Sequence, residues 1–209
     1  MADNSVSRKE REREQHRNAI LEAALMLFSE KGYESVSVSE IAEKAEFATG
    51  TLYNFFESKE GLFREIVLRY LGAVQNRLNE VLDSDKDELS KLRSFIRVKG
   101  ELVHENMEFI HLYMHDLRSR GFTSVQKDIM HAIGEIHIRL EAVFRKGVEK
   151  GIFKDLDPYI MGVAFNGLSS IFIFHMIHFP DTFSYFENID TIMEMFFENI
   201  LLKDTSDEI

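Results

Sequence analysis

Residues 37–63, SVSEIAEKAEFATGTLYNFFESKEGLF, leave few folds open to the chain. Ser37 and Glu40 have the spacing of a capping box, in which the hydroxyl takes a helical amide and the carboxylate reaches back to the serine amide. Val38, Ile41, Ala42 and Ala45 then follow at helical intervals. Glu46, Phe47 and Ala48 are too short a stretch to be anything but a turn between packed helices. The spacing predicts a second short helix over 49–56, with Leu52, Phe55 and Phe56 on one side and Thr49, Gly50, Tyr53 and Asn54 on the other. Two short helices joined by a tight turn, the second with a small and polar outward face, make a helix-turn-helix.

The flanks supply what such a pair needs to pack against. Upstream, Ile20, Ala23, Ala24, Leu27 and Phe28 keep helical spacing up to Gly32. Downstream, Lys59 and Glu60 open a helix in which Leu62, Phe63, Ile66, Tyr70, Leu71, Val74 and Leu78 continue the period. Residues 1–9 are expected to fray. In RKEREREQHR, Lys9, Arg13 and Arg17 recur every four residues, so a helix would line them up on one face. That face is either a solvated stripe laced with ion pairs or a basic edge that places Arg13 and Arg17 against phosphates.

From Ile20 to about Val67 the chain resembles the TetR family of bacterial transcriptional regulators. The residues that carry the likeness are Ile20, Ala23-Ala24, Leu27-Phe28, Gly32-Tyr33, Ile41-Ala42, Ala45, Gly50-Thr51-Leu52-Tyr53, Phe56, Lys59-Glu60 and Leu62-Phe63. The resemblance implies an all-α chain, with a helix-turn-helix DNA-binding domain over 1–66 and a helical ligand-binding and dimerisation domain over 67–209. It implies base-edge contacts at Thr49 and Thr51 and phosphate contacts at Tyr53, Asn54 and Lys59. Physically, a threonine can bond a base or touch a thymine methyl, and Gly50 lets backbone approach the sugar-phosphate wall. Ser37 and Ser39 sit where amides and hydroxyls can hold a phosphate.

Three positions depart from the family pattern. Glu46 stands where the turn usually has glycine, and a left-handed backbone there would cost about 1 kcal/mol. Ala48 replaces a common capping serine, so Thr49 is expected to cap instead of reading a base. Asn54 replaces a common histidine and keeps a donor.

Net charge sets a condition on this reading. The chain carries −11 overall, yet residues 1–17 hold five Lys/Arg against four Asp/Glu. An acidic body repels DNA at long range, so binding would rest on a few placed contacts and weaken with salt. With no cysteine, disulfides and thiolate metal sites are excluded. The charged N-terminus lacks an apolar signal core, and a cytoplasmic location is expected.

Beyond the acidic break at 83–88, helices are expected near 89–104, 107–118, 125–150 and 186–202, with a loop at 119–124 and another helix opened by Pro158. Residues 159–179 contain no Asp, Glu, Lys or Arg across 21 positions. Length alone allows a membrane span. Asn166, paired serines, two histidines and acidic flanks favour a helix buried in its own core on one side and against a second copy on the other. Gly162, Phe165, Ser169 and Phe172, with Ile192 and Phe196 of the last helix, are the expected homodimer interface.

His111 and His115 share a helical face with Glu108 and Asp116 near, which permits a metal-responsive reading or plain polar lining. The resemblance implies a pocket for a small, hydrophobic effector, with Phe95, Phe109, Tyr113, Met114, Phe144, Phe165 and Phe172 as lining that core packing would explain equally. No cofactor is implied. Gly167-Leu168-Ser169-Ser170-Ile171 lacks the second glycine of a nucleophile elbow, and no acid and histidine are paired, so no enzyme chemistry is expected. The resulting expectation is a cytoplasmic homodimeric repressor that leaves a palindromic double-stranded operator when its effector binds, with no membrane partner. The rival is a helical small-molecule-binding protein whose DNA head has lost function.

Overall fold

Ser7, not residue 10, starts the first helix. Its hydroxyl accepts from the Glu10 amide at 3.2 Å, and Glu10 Oε2 accepts from the Ser7 amide at 2.8 Å, a complete capping box. The computed structural model of the chain describes residues 7–116, 120–179, 181 and 183–198, with backbone alone at 114–116 and 120–122. The frayed arm expected through residue 9 is therefore helical from Arg8.

The helices are α1 Arg8–Lys31, α2 Val38–Lys44, α3 Thr49–Tyr53, α4 Lys59–Leu82, α5 Glu88–Glu105, α6 Met107–Asp116, α7 Arg120–Glu149, α8 Pro158–His178 and α9 Ile189–Phe197. Among the described residues there is no strand, so the chain is all-α. α3 stops at Tyr53, three residues before the end expected from its apolar spacing. The loop expected at 119–124 is helical from Arg120 onward, and Ser119 lies outside the described residues. The last helix begins after a turn at 185–188, later than expected, and residues from 199 lie outside the described residues.

The chain divides into two compact units: Met1–Leu71 with Asn106–Ile129, and Gly72–Glu105 with Met130–Ile209. In this division α4 and α7 each contribute residues to both units and α6 joins the first, while the boundary expected at 66 falls inside the first unit. In the first unit the apolar faces of α1, α2 and α4 meet over Ile20, Phe28, Ile41, Leu52, Leu62 and Phe63, all essentially without exposure. The rings of Phe28, Tyr33 and Phe63 pack mutually at 4.9–5.8 Å, edge or tilted, as aromatic quadrupoles favour. Tyr70 stacks on Phe109 at 3.8 Å, fixing α6 to the same unit.

The second unit is built around phenylalanine. Phe144, Phe153, Phe165, Phe196 and Phe197 touch ring to ring at 5.0–6.0 Å, and Phe95 joins through Phe165. Tyr185, fully buried, donates its hydroxyl to the Ile96 carbonyl at 3.0 Å and so ties the turn before α9 to α5. Asp157 caps α8 through the amides of Tyr159 and Ile160, with Pro158 at the first helical position, where its missing amide hydrogen is no loss. Gly162 brings α8 against α7: a Cβ there would stand 3.2 Å from Leu140 Cβ and 3.3 Å from the Glu141 amide nitrogen.

Gly147 faces the Phe153 ring so closely that an added Cβ would overlap it. Alanine is the better helix former by about 1 kcal/mol, but displacing a ring from a closed aromatic cluster costs typically 1–3 kcal/mol. Gly147→Ala is expected to be net destabilising, seen as a lower urea midpoint; an unchanged or raised midpoint would show that the Phe153 site has slack.

Candidate nucleic-acid interface

The helix-turn-helix is held at its start by Ser37. Its hydroxyl accepts from the Glu40 amide at 3.2 Å and donates to Glu40 Oε2 at 2.9 Å, while that oxygen also accepts from the Ser37 amide at 2.8 Å. Lys31 Nζ bonds the other carboxylate oxygen at 3.0 Å. The Ser37 amide, Lys31 and the Ser37 hydroxyl together hold the Glu40 carboxyl down to about 2. Ser39, the second residue of α2, is exposed.

The turn closes through Phe47, whose amide donates to the Ala42 carbonyl at 2.8 Å, and this requires Glu46 in the left-handed region at φ 61°. The chain therefore carries a glutamate where glycine would be unstrained. Ala48 occupies the N-cap of α3 with no side-chain hydrogen bond. Thr49 does not take over that role: it is the first helical residue, and its hydroxyl has no bond among the described residues. The expectation that it would cap is corrected because a capping side chain must come from the extended residue before the helix.

Leu52 is fully buried and fixes which way α3 faces. Gly50, Tyr53 and Asn54 are consequently exposed, with Thr49 and Thr51 half-buried beside them. A Cβ added at Gly50 would meet nothing within 4 Å, so the backbone lies open to a close approach. Tyr53 leaves 53% of its surface in solvent, unusual for a ring in so small a unit.

The cations assigned to phosphates divide. Arg13 remains exposed, with its guanidinium 5.7 Å from the Phe55 ring centre. Arg17 is turned inward: it forms a two-pronged ion pair with Glu65, reaches the Phe55 carbonyl and lies 4.8 Å over Phe56. Lys59 is also committed. Its ammonium donates to the carbonyls of Tyr33 at 2.8 Å and Val36 at 2.9 Å, and sits 4.4 Å over the Tyr33 ring. Helix termini and turns leave carbonyls without partners, and Lys59 satisfies two of them here, as a structural tie. Lys44, in the last turn of α2, is exposed with no bond among the described residues; it is not among the residues the sequence pointed to.

In the second unit the residues expected at a homodimer interface lie within or beside the unit's own core. Gly162, Phe165, Ser169 and Ile192 are buried within the unit's own core, and Phe172 and Phe196 are half-buried. Of the large apolar side chains that α8 leaves exposed, Ile160, Val163, Ile171 and Phe174 recur on one helical face, and Tyr159 is exposed as well. α8 is also long and apolar enough to cross a membrane by length and composition. Of the expected effector lining, Phe95, Phe144 and Phe165 belong to the aromatic core, Phe172 packs on Phe183, and Phe109 and Tyr113 belong to the first unit. The Met114 side chain lies outside the described residues, as do those of His115 and Asp116; His111 is exposed. Among the described residues no three metal-ligating side chains cluster.

Lys99 links α5 to α8 without any carboxylate. Its ammonium donates to Asn166 Oδ1 at 2.7 Å, Ser170 Oγ at 2.7 Å, Ser169 Oγ at 2.9 Å and the Asn166 carbonyl at 3.2 Å. Asn166 in turn meets His137 Nε2 at 3.0 Å. Burial brings the Lys99 ammonium down to about 7, and burial together with Lys99 lowers His137.

Residues 20–66 match the family model described as bacterial regulatory proteins, tetR family. The chain is 27% identical over 145 residues to the HTH-type transcriptional repressor KstR2 of Mycobacterium tuberculosis, covering 68% of this chain and 71% of that protein. It is 26% identical over 136 residues to the fatty acid metabolism regulator protein of Bacillus subtilis, covering 65% and 70%. In fold it is similar to the transcriptional regulator FadR from Bacillus subtilis in complex with stearoyl-CoA, with a TM-score of 0.72, 20% identity, and coverage of 86% of this chain and 96% of that one.

The left-handed backbone at Glu46 predicts that Glu46→Gly stabilises the chain by about 1 kcal/mol; a lower urea midpoint would overturn that. For Lys99, the folded state loses its proton near pH 7 while the unfolded chain keeps it to the ordinary 10.5. The unfolded state then binds more protons across that window, so the lysine makes stability rise with pH between the two values. In Lys99→Met the Ser169 and Ser170 hydroxyls still donate to the Asn166 carbonyl. Urea melts from neutral pH to about pH 10 are expected to rise more steeply in the wild type than in Lys99→Met; parallel profiles would contradict it.

Proposed function

Since residues 20–66 of the chain form a TetR-family helix-turn-helix domain, we propose that it is a ligand-responsive transcriptional regulator, a homodimeric repressor released from a near-palindromic operator by a hydrophobic small molecule. The observation that carries this reading is the outward face of α3, uncharged and open at Gly50, behind a fully buried Leu52. Such a helix fits a major groove, where Thr49 and Thr51 reach base edges and Tyr53, Asn54 and Ser39 reach phosphates. Arg13 and Lys44 add the few cations a strongly acidic chain can bring to DNA. Two copies place their reading helices about one turn, roughly 34 Å, apart.

Dimerisation gives the exposed apolar face of α8 a cover. Ile160, Val163, Ile171 and Phe174 would pack on a second copy, which favours an interface one helical face away from the residues the sequence suggested. For the effector, a fatty acyl compound is the first class to test, because one relative is named for fatty acid metabolism and one structural neighbour holds stearoyl-CoA. The effector acts by binding one conformation more tightly than another, and α4, which has residues in both units, carries the shift to the reading head.

Selection of duplexes from a random pool is expected to enrich a palindrome. Thr51→Ala and Tyr53→Ala should each weaken its binding about 10–100-fold without changing the thermal melt, and stearoyl-CoA should lower the affinity of the wild type. Enrichment of no sequence, even at low salt and after stripping of bound small molecules, would favour the rival with an inactive head.

A further inference from the structure

Gly167 stands in the middle of α8, where glycine supports a helix less well than alanine, yet nothing in its own chain requires it. A Cβ added there would meet nothing within 4 Å, whereas one at Gly162 would press on α7. Gly167 lies at the centre of the exposed face of the helix. Helical periodicity alone makes the exposed positions symmetric about that centre, but it does not set the order of sizes. Next to Gly167 on the face come the small Ala164 and Ser170, then Val163 and Ile171, then Ile160 and Phe174. The face is small in its middle and bulky toward both ends.

No Asp, Glu, Lys or Arg occurs from 159 to 179, so laying this face on a copy of itself brings no like charges of α8 together. Ser170, at the centre, already accepts from Lys99 at 2.7 Å and donates to the Asn166 carbonyl at 2.8 Å, so its hydroxyl asks nothing of a partner. Ile160 and Ile171 leave 61% and 58% of their surface in solvent, as parts of an apolar stripe that needs a cover. A two-fold contact requires a surface that fits itself. A small centre between bulky ends does so when one helix crosses the other end for end: the backbones approach at glycine, and the ends fill the widening gap.

We propose that Gly167 lies on the two-fold axis of the homodimer, where α8 crosses its copy in the antiparallel sense, with Ile160 packed on Phe174 of the partner subunit and Val163 on Ile171 of the partner subunit. The proposal rests on the homodimer reading above and gives that dimer its register. The antiparallel sense keeps like helix ends apart and sets the Phe174 ring on an aliphatic chain. The parallel sense would gather Phe174, His175 and His178 of both protomers at one end.

Two kinds of variant of the full chain test this. Gly167→Leu has room in the single chain, so the helical circular-dichroism spectrum should be unchanged, but a branched side chain at the crossing holds the backbones apart. Sedimentation should show a dimer weakened roughly tenfold or more. The chain has no cysteine, so an introduced one can pair only with another introduced one. Positions 160 and 174 stand about 20 Å apart along α8, too far to pair within one chain. Under mild oxidation the double variant Ile160→Cys with Phe174→Cys should run as a disulfide-linked dimer, and neither single variant should. A Gly167→Leu dimer as tight as wild type, an unlinked double variant or a single variant that links to itself would each overturn the register while the homodimer stands. A wild type that sediments as a monomer would overturn both readings and leave the face to another occupant, such as a lipid surface.

Discussion

The Lys59 ammonium is the tie on which the reading head depends. It stands at the first residue of α4 and reaches back to the carbonyls of the segment between α1 and α2, over the Tyr33 ring. Tyr33 in turn packs on Phe28 from α1 and Phe63 from α4. One cation thus closes the turn that sends the chain into α2 and anchors α4 beside it. α3 has only five residues and no side-chain cap; a helix that short has little stability of its own. Its orientation comes from Leu52 in the core beneath and from the frame around it. Arg17 repeats the arrangement across α1, bonding Glu65 of α4 and the Phe55 carbonyl just after α3.

That economy leaves the outward face unusually bare of charge. Of the cations expected to reach phosphates, Arg17 and Lys59 serve carbonyls and a carboxylate inside the unit, and Arg13, with Lys44 and the polar groups of α3 and Ser39, remains outside. Strain at Glu46 and the missing cap at Ala48 fall in the same region. The second unit has the opposite character. Its interlocked phenylalanine rings make a closed core, and its loose ends are polar ones: Lys99 among neutral acceptors, and Glu88 Oε2, buried with no donor among the described residues.

The sequence made the helices legible wherever a local device marked them. The Ser37–Glu40 box, Gly32, Gly151 and Asp157-Pro158 stand where the structure starts or stops a helix, and Glu46 has the backbone its position implied. The Ser7–Glu10 box was equally visible and outweighs the charge run that suggested fraying. What the sequence could not assign was direction. α8 is apolar almost all round, so its pattern has no phase, and nothing in it separates Gly162 and Phe165, which face inward, from Ile160 and Phe174, which face out. Lys59 and Arg17 share that ambiguity: in sequence, a cation beside a reading helix looks the same whether it meets a phosphate or a carbonyl.

The salt dependence of binding to the selected operator, compared between wild type and Lys59→Met, tests this account of the head most directly. Removing a phosphate contact lowers the slope of log affinity against log salt by about one. Removing an internal tie leaves carbonyls unsatisfied, at a cost of about 1–3 kcal/mol in stability, and leaves that slope unchanged. The account predicts a lower urea midpoint with the wild-type slope. A slope reduced by about one, with stability intact, would place Lys59 on the DNA and contradict it.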